Sequence, residues 1–223
     1  MTSADNKPSG SKSGLIAAVV VAFVGAALLA AVVLGGNDDS EDGNDAGGSV
    51  EQVAEVSVAG DGLVPYPQGA TPGDPSSDPA VGVVAPTLTG TDFEGNEVEI
   101  GPDGAAKVVL FLAHWCPHCQ RELPAAVELL NSPDMPDGLS VYAVSTAFDD
   151  SRGAADPSVW FRTEDWQEPV IRDSASADAF SSYGGAGFPY AVYLDGDNRV
   201  LFRSSGELGA DTMTALWLAT AQS

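Results

Sequence analysis

Residues 107–119 read KVVLFLAHWCPHC, from Lys107 to Cys119. Lys107 to Ala113 is a continuous apolar run behind one lysine, the pattern of a strand covered on both faces. From Pro117 to Leu130 the pattern turns to helical periodicity. Between them lies His114-Trp115-Cys116-Pro117-His118-Cys119. A CxxC pair therefore falls where a buried strand hands over to a helix. The first turn of a helix has unpaired N–H groups and the positive end of the dipole, which together favour an anion. A thiolate at Cys116 is such an anion. Pro117 suits the first helical position, where its missing N–H costs nothing. Free cysteine titrates near about 8.5, and this kind of setting lowers it to roughly 3.5–7.5. Each unit of lowering favours the thiolate by about 1.4 kcal/mol. A favoured thiolate is a favoured reduced form, so the pair is expected to be relatively oxidising. His118 in the same turn is expected to add to this, if charged or if it donates an N–H to sulfur. For His114, a role in the chemistry and a bystander's place are evenly balanced.

The surrounding pattern is that of alternating strands and helices. Val98–Ile100 reads as a strand after a turn at Glu94-Gly95-Asn96, and Leu139–Ser145 as a second buried strand. Helices are expected over Ser158–Trp166 and Ala175–Tyr183, with a short strand at Pro169–Arg172 between them. Tyr190–Leu194 and Arg199–Arg203 flank Asp195-Gly196-Asp197-Asn198 and read as an antiparallel hairpin. Asp211 is expected to cap a last helix ending near Ala221. This order predicts an α/β domain over residues 81–223, a central mixed sheet with helices on both faces.

Upstream, residues 1–14 read as a polar cytoplasmic tail carrying Lys7 and Lys12. Residues 15–34, Leu15 to Leu34, carry no charge. A helix of that length spans about 30 Å, the thickness of a bilayer's hydrocarbon core. Basic residues before it and acidic ones after it place the rest of the chain outside the membrane. A cleavable signal peptide would have a shorter apolar region, about 7–15 residues, so an uncleaved single-pass anchor in the cell membrane is expected. Residues 35–80 read as an acidic Gly/Pro/Ser-rich linker, too polar to offset its own ordering entropy. Within it, Val53, Val56 and Val58 alternate as a short strand that could dock on the domain.

The formal net charge of −23 opposes binding to nucleic acid or anionic lipid. The chain has only two cysteines, so the pair is either a reactive dithiol or half a metal site. Tetrahedral zinc usually needs four protein ligands. A local set of Cys116, Cys119, His114 and His118 would be cramped, and no metal or other cofactor is expected. Peroxide reduction usually needs Thr or Ser three residues before the cysteine, where this chain has Ala113. A copper or haem-assembly chaperone presenting the CxxC pair and His118 to a soft metal is the binding-class alternative. A purely structural tethered domain is the third.

Over residues 81–223 the chain resembles the thioredoxin-like superfamily, and most of all the membrane-tethered extracytoplasmic thiol–disulfide oxidoreductases of the TlpA/ResA kind. Ala85-Pro86-Thr87-Leu88 with Asp92-Phe93-Glu94-Gly95 resembles the opening segment of those proteins. The strand followed by Trp-Cys-x-x-Cys resembles their active-site turn, and Pro124 their kink proline. Gly187-Phe188-Pro189-Tyr190 resembles their cis-proline loop, and Gly206-Glu207-Leu208 fits the end of the terminal hairpin. The resemblance implies a redox-active disulfide between Cys116 and Cys119, with Cys116, Cys119, His118 and Pro189 as candidate catalytic residues. It implies that Trp115, Phe188 and Pro189 contact substrate, with Pro189 cis and facing the dithiol. The expected partners are extracytoplasmic protein thiols and disulfides and a recycling redox protein. The Pro-His dipeptide resembles the oxidising donors of the DsbA type, while a reductase in cytochrome c maturation is the alternative direction. Many thioredoxins carry a buried aspartate where this chain has Leu110, so the proton route to Cys119 has no assigned group. Glu122, one turn along, is a weak candidate and is expected to be a solvated helix carboxylate.

Overall fold

The computed structural model describes residues 50–223. The expected tail at 1–14, the anchor at 15–34 and the linker as far as residue 49 lie outside the described residues. Among the described residues no helix is long and apolar enough to cross a membrane.

Among the described residues, eight strands and four α-helices follow in the order β1 (Ser57–Ala59), β2 (Thr87–Thr91), β3 (Glu97–Ile100), β4 (Ala106–Leu112), α1 (Pro117–Leu130), β5 (Leu139–Ser145), α2 (Pro157–Thr163), β6 (Val170–Arg172), α3 (Asp178–Ser182), β7 (Tyr190–Leu194), β8 (Val200–Ser205) and α4 (Ala210–Ala221). The main sheet runs β6-β5-β4-β7-β8, and β1-β2-β3 form a separate antiparallel sheet. In the main sheet β4 pairs parallel with β5 and antiparallel with β7, so the sheet is mixed, as expected.

β4 is buried along its whole length, and its alternation divides the interior in two. Val108, Leu110 and Leu112 face a cluster with Leu123 and Ala126 of α1 and Met213 and Trp217 of α4. Val109 and Phe111 face the other, with Leu88 of β2, Ile100 of β3 and Ala179 of α3. This is the period of two that a strand imposes, and it puts helices on both faces.

Helices α2 and α3 are shorter than expected. Apolar contacts with the core extend past the helix in each segment, but Trp166 and Tyr183 reach the core from beyond the helix ends. Asp211 is not the cap of α4. Gly209 occupies that place and Asp211 lies in the first turn, where its charge still favours the positive helix end.

The tether expected over 35–80 does not hold for residues 50–80. These residues lie against the domain as a strap. Leu63, Tyr66 and Ala80 are buried in the second cluster, and β1 pairs with β2 through Ser57–Ala59. Val56 and Val58 pack partly into the same cluster. Backbone bonds tie Leu63 N–H to Ser182 O at 2.8 Å and Tyr66 N–H to Gly184 O at 2.8 Å. A side chain at Gly184, which has φ +71°, would collide with the Val64 carbonyl oxygen, so the strap and this turn need glycine to approach so closely.

The strap is pinned by a buried ion pair. Arg203 of β8 donates through Nε to Asp78 Oδ2 at 2.7 Å and through Nη2 to Oδ1. Its Nη1 donates to Val64 O at 2.8 Å and Tyr190 Oη at 3.2 Å. Burial pushes the Asp78 carboxyl up, but the hydrogen bonds from Arg203 and the Ala80 amide and the Arg203 charge outweigh it, and the net shift is down.

Asp78→Asn leaves the Arg203 charge buried without its counterion, so it is expected to cost about 3 kcal/mol, read by urea denaturation at pH 7. The folded carboxyl lies below its unfolded value. The pair's contribution is therefore present above that unfolded value and is lost as pH falls through the folded one. The gap between wild type and variant is expected to narrow on acidification below about pH 4.

Candidate active site

β4 ends at Leu112, and the chain turns through Ala113–Trp115 into α1. Cys116 is the N-cap residue, with extended backbone (φ −82°, ψ 119°), and Pro117 opens the helix. The Cys116 amide donates back to Ala113 O at 3.0 Å, and its carbonyl accepts from Gln120 N–H at 3.0 Å. The sulfur thus sits at the amide-rich end of a 14-residue helix.

The two sulfurs are unequal. Cys119 is fully enclosed, while Cys116 retains slight exposure. Burial pushes the Cys119 thiol well up, with the neighbouring Cys116 and Glu122 charges adding to it. Cys119 is the sulfur that stays protonated, and Cys116 is the one a partner can reach.

Pro189 follows a cis peptide bond from Phe188. The Cys116 thiol points at the Phe188 carbonyl oxygen, 3.8 Å away. The Phe188 ring packs on Phe180 at 4.6 Å and edge-on to Trp115 at 5.8 Å. Trp115 donates Nε1–H to Ala147 O at 2.7 Å, and the Arg152 guanidinium lies 4.3 Å over its ring. Arg152 is itself paired with Asp149 at 3.0 Å. The structure thus brings Cys116, Cys119, Trp115, Phe188 and Pro189 together.

The two histidines part company. His114 is buried, with Nδ1 2.9 Å from Ala155 O, while Nε2 accepts from the Asp149 amide at 3.3 Å. The Asp149 bond requires a bare Nε2, so the proton is on Nδ1 and both nitrogens are occupied. His114 holds the loop after β5 and is not free to ligate a metal. His118 is exposed, and its Nδ1 lies 2.7 Å from Glu207 Oε2. It makes no hydrogen bond to either sulfur, so of the two contributions expected of it the donated N–H is not made here.

Glu122 is the largest departure from expectation. It is not solvated but only 3% exposed. It projects from α1 into the first cluster beneath the dithiol, and its Oε2 accepts the Leu208 N–H at 2.7 Å. Burial pushes its carboxyl up to about 7, against the pull of that hydrogen bond. A glutamate at helical spacing after the cysteines carries no mark of this. The burial comes from the β8–α4 loop folding over that face of α1. Arg121 and Glu207 were also missed, because they meet across 86 residues of chain, Arg121 Nη2 lying 2.6 Å from Glu207 Oε2.

A family profile described as a thioredoxin-like domain matches residues 93–221. The fold is similar to the thioredoxin domain of a thiol-disulfide oxidoreductase from Bacteroides vulgatus, with 24% identity, 64% of this chain and 98% of that chain covered, and a TM-score of 0.51. It is also similar to a thiol:disulfide interchange protein from Bacteroides sp., with 25% identity, 65% and 91% covered, and a TM-score of 0.51. No curated protein matches the sequence.

The Glu122 carboxyl moves from its ordinary 4.5 to about 7 on folding. The folded state therefore binds the extra proton between these values, and stability falls as pH rises through that window, by on the order of 3 kcal/mol. Glu122→Gln is expected to remove this slope, so that the variant gains on wild type in thermal unfolding from pH 4.5 to pH 8.

Proposed function

This chain belongs to the thioredoxin-like domain family, and we propose that it is a thiol–disulfide oxidoreductase that exchanges disulfides with protein substrates through Cys116 and Cys119. The observation that carries the reading is the unequal pair at the start of α1, with the reachable Cys116 sulfur facing the cis-proline loop at Phe188 O.

In the oxidising direction a substrate thiolate attacks Cys116 Sγ. The Cys116–Cys119 bond breaks, and Cys119 leaves as a thiolate that takes up a proton. A second substrate thiolate attacks the substrate sulfur of the mixed disulfide, and Cys116 leaves as a thiolate. Two electrons pass from the substrate dithiol to the enzyme. In the reducing direction Cys116 attacks first and Cys119 resolves.

A thiolate formed at buried Cys119 is costly, so its departure needs a proton at once. Glu122, one turn further along α1, holds its carboxyl near 7 and can give or take a proton near neutral pH. It fills the part that Leu110 leaves open. An extended substrate segment lies along the Phe188–Pro189 backbone as a short added strand, with Trp115 and Phe188 as its apolar wall.

The Pro-His dipeptide and the helix-end sulfur support an oxidising role of the DsbA kind on a TlpA/ResA-like framework. The chain is anchored by residues 15–34, with the domain outside the cell membrane. The copper-chaperone reading is the weaker one, because Cys119 is fully enclosed and does not present its sulfur to an incoming metal.

Cys116→Ser is expected to reduce exchange to background. Cys119→Ser is expected to accumulate mixed disulfides with extracytoplasmic proteins, identified by mass spectrometry; recovery of none would remove protein substrates from the reading. Titration of the soluble domain against glutathione is expected to give a potential well above thioredoxin's value of about −270 mV. A potential at or below that value would make the protein a reductase, as cytochrome c maturation requires. Labelling of Cys116 by a membrane-impermeant thiol reagent on intact cells checks the outward placement.

A further inference from the structure

His118 Nδ1 has two suitors. Glu207 Oε2 lies 2.7 Å from it and Arg121 Nη2 lies 2.8 Å from it. One nitrogen cannot both donate to a carboxylate and accept from a guanidinium. The two arrangements leave opposite characters on the ring's far nitrogen, Nε2, which makes no hydrogen bond among the described residues. A bare Nδ1 taking an Arg121 N–H leaves a proton on Nε2. An Nδ1–H given to Glu207 leaves Nε2 bare in the neutral ring.

The contacts decide between them. Arg121 already spends its fork on Glu207, with Nε at 3.0 and 3.1 Å from the two carboxylate oxygens and Nη2 at 2.6 Å from Oε2. A bare Nδ1 would set two acceptors, Nδ1 and Oε2, face to face at 2.7 Å. With Nδ1–H in place, Oε2 gains a second donor, and Arg121 gives up its contact to Nδ1 but keeps its three bonds to Glu207. Glu207 does not compete for the proton, because the hydrogen bonds of Arg121 and then His118 hold its carboxyl down at about 2. The groups against this ring are Arg121 from α1 and Glu207 from the loop after β8. Arg121 is near enough to Cys116 to be affected by its charge.

Resting on the reading of the CxxC pair as an exchange site, we propose that Glu207 is a positioning residue for the reaction: it holds His118 with the proton on Nδ1, leaving Nε2 to accept the proton of a thiol at the dithiol mouth. The thiol S–H bond breaks, the proton passes to Nε2, and the electron pair stays on sulfur. The imidazolium keeps its Nδ1–H on Glu207 and returns the proton from Nε2 to the partner's thiolate when that is the group that leaves; enclosed Cys119 keeps Glu122. Arg121 keeps the carboxylate in place. The logic is that of a base oriented by a third group.

The test uses the reduced protein, with nitrogen-15 NMR of the His118 ring and the rate of exchange with a small aromatic disulfide at neutral pH. Neutral His118 is expected to be the Nδ1–H tautomer in wild type and to shift toward Nε2–H in Glu207→Gln. The exchange rate is expected to fall roughly tenfold in Glu207→Gln, about 1.4 kcal/mol of a charge-assisted hydrogen bond, and to recover in Glu207→Asp. In a His118→Ala background Glu207→Gln is expected to have no further effect. A plain charge effect has the opposite sign, since removing a nearby negative charge favours a thiolate and speeds the reaction. An unchanged tautomer, a faster Glu207→Gln, or an equal effect without His118 overturns the proposal. A wild-type chain inert toward the disulfide, but with the expected tautomer shift, would instead sink the exchange reading and leave the orienting contact standing.

Discussion

The site depends on the burial of β4. A strand enclosed on both faces can only be stabilised by apolar side chains, each worth about 1.5–3 kcal/mol when fully buried, and Val108 to Leu112 supply them without interruption. A strand held in this way has one fixed end. Cys116 is four residues past that end, so its sulfur is located by the core rather than by the loop that carries it. The helix that follows is anchored through Leu123, Ala126 and Leu129 in the same cluster. Strand and helix together place the sulfur at the start of α1.

The second half of the site comes from the other side of the sheet. β7 pairs antiparallel with β4, and this brings the Phe188–Pro189 peptide to the Cys116 thiol. The strap at 50–80 supports that loop from behind. It bonds to Ser182 and Gly184 through Leu63 and Tyr66, and Arg203 ties Asp78, Val64 and Tyr190 into one buried polar group. Such a group is costly unless every member is paired, so it admits one arrangement of strap, turn and strand. The polar chemistry on the open side is separate. His118, Arg121 and Glu207 form an exposed cluster at the rim, while Glu122 lies below in the apolar interior.

Much of this was legible along the chain because it is local. The run at Lys107–Ala113, the helix at Pro117–Leu130, the strand at Leu139–Ser145 and the hairpin about Asp195–Asn198 each announce themselves by period and turn residues, and they stand within a residue or two of their expected bounds. Their order predicts an α/β sheet with helices on both faces, while the thioredoxin-like framework rests on the resemblance of the motifs and on the family profile over residues 93–221. The strap was illegible for the opposite reason. Its composition averages to that of a solvated linker, while its ordering rests on a few residues, Leu63, Tyr66, Asp78 and Ala80, whose partners lie about a hundred residues away.

The sequence by itself determined the dithiol, the helix start that carries it and the alternating framework beneath, because propensity, periodicity and the CxxC spacing act over neighbouring residues. Only the tertiary structure decided the electrostatics around the sulfurs. Glu122 and Glu207 are carboxylates of the same type, and one titrates near 7 while the other is held near 2. The difference is whether the folded chain surrounds the group with apolar atoms or with Arg121 and His118. That depends on how the β8–α4 loop meets α1, and no pattern within α1 encodes it.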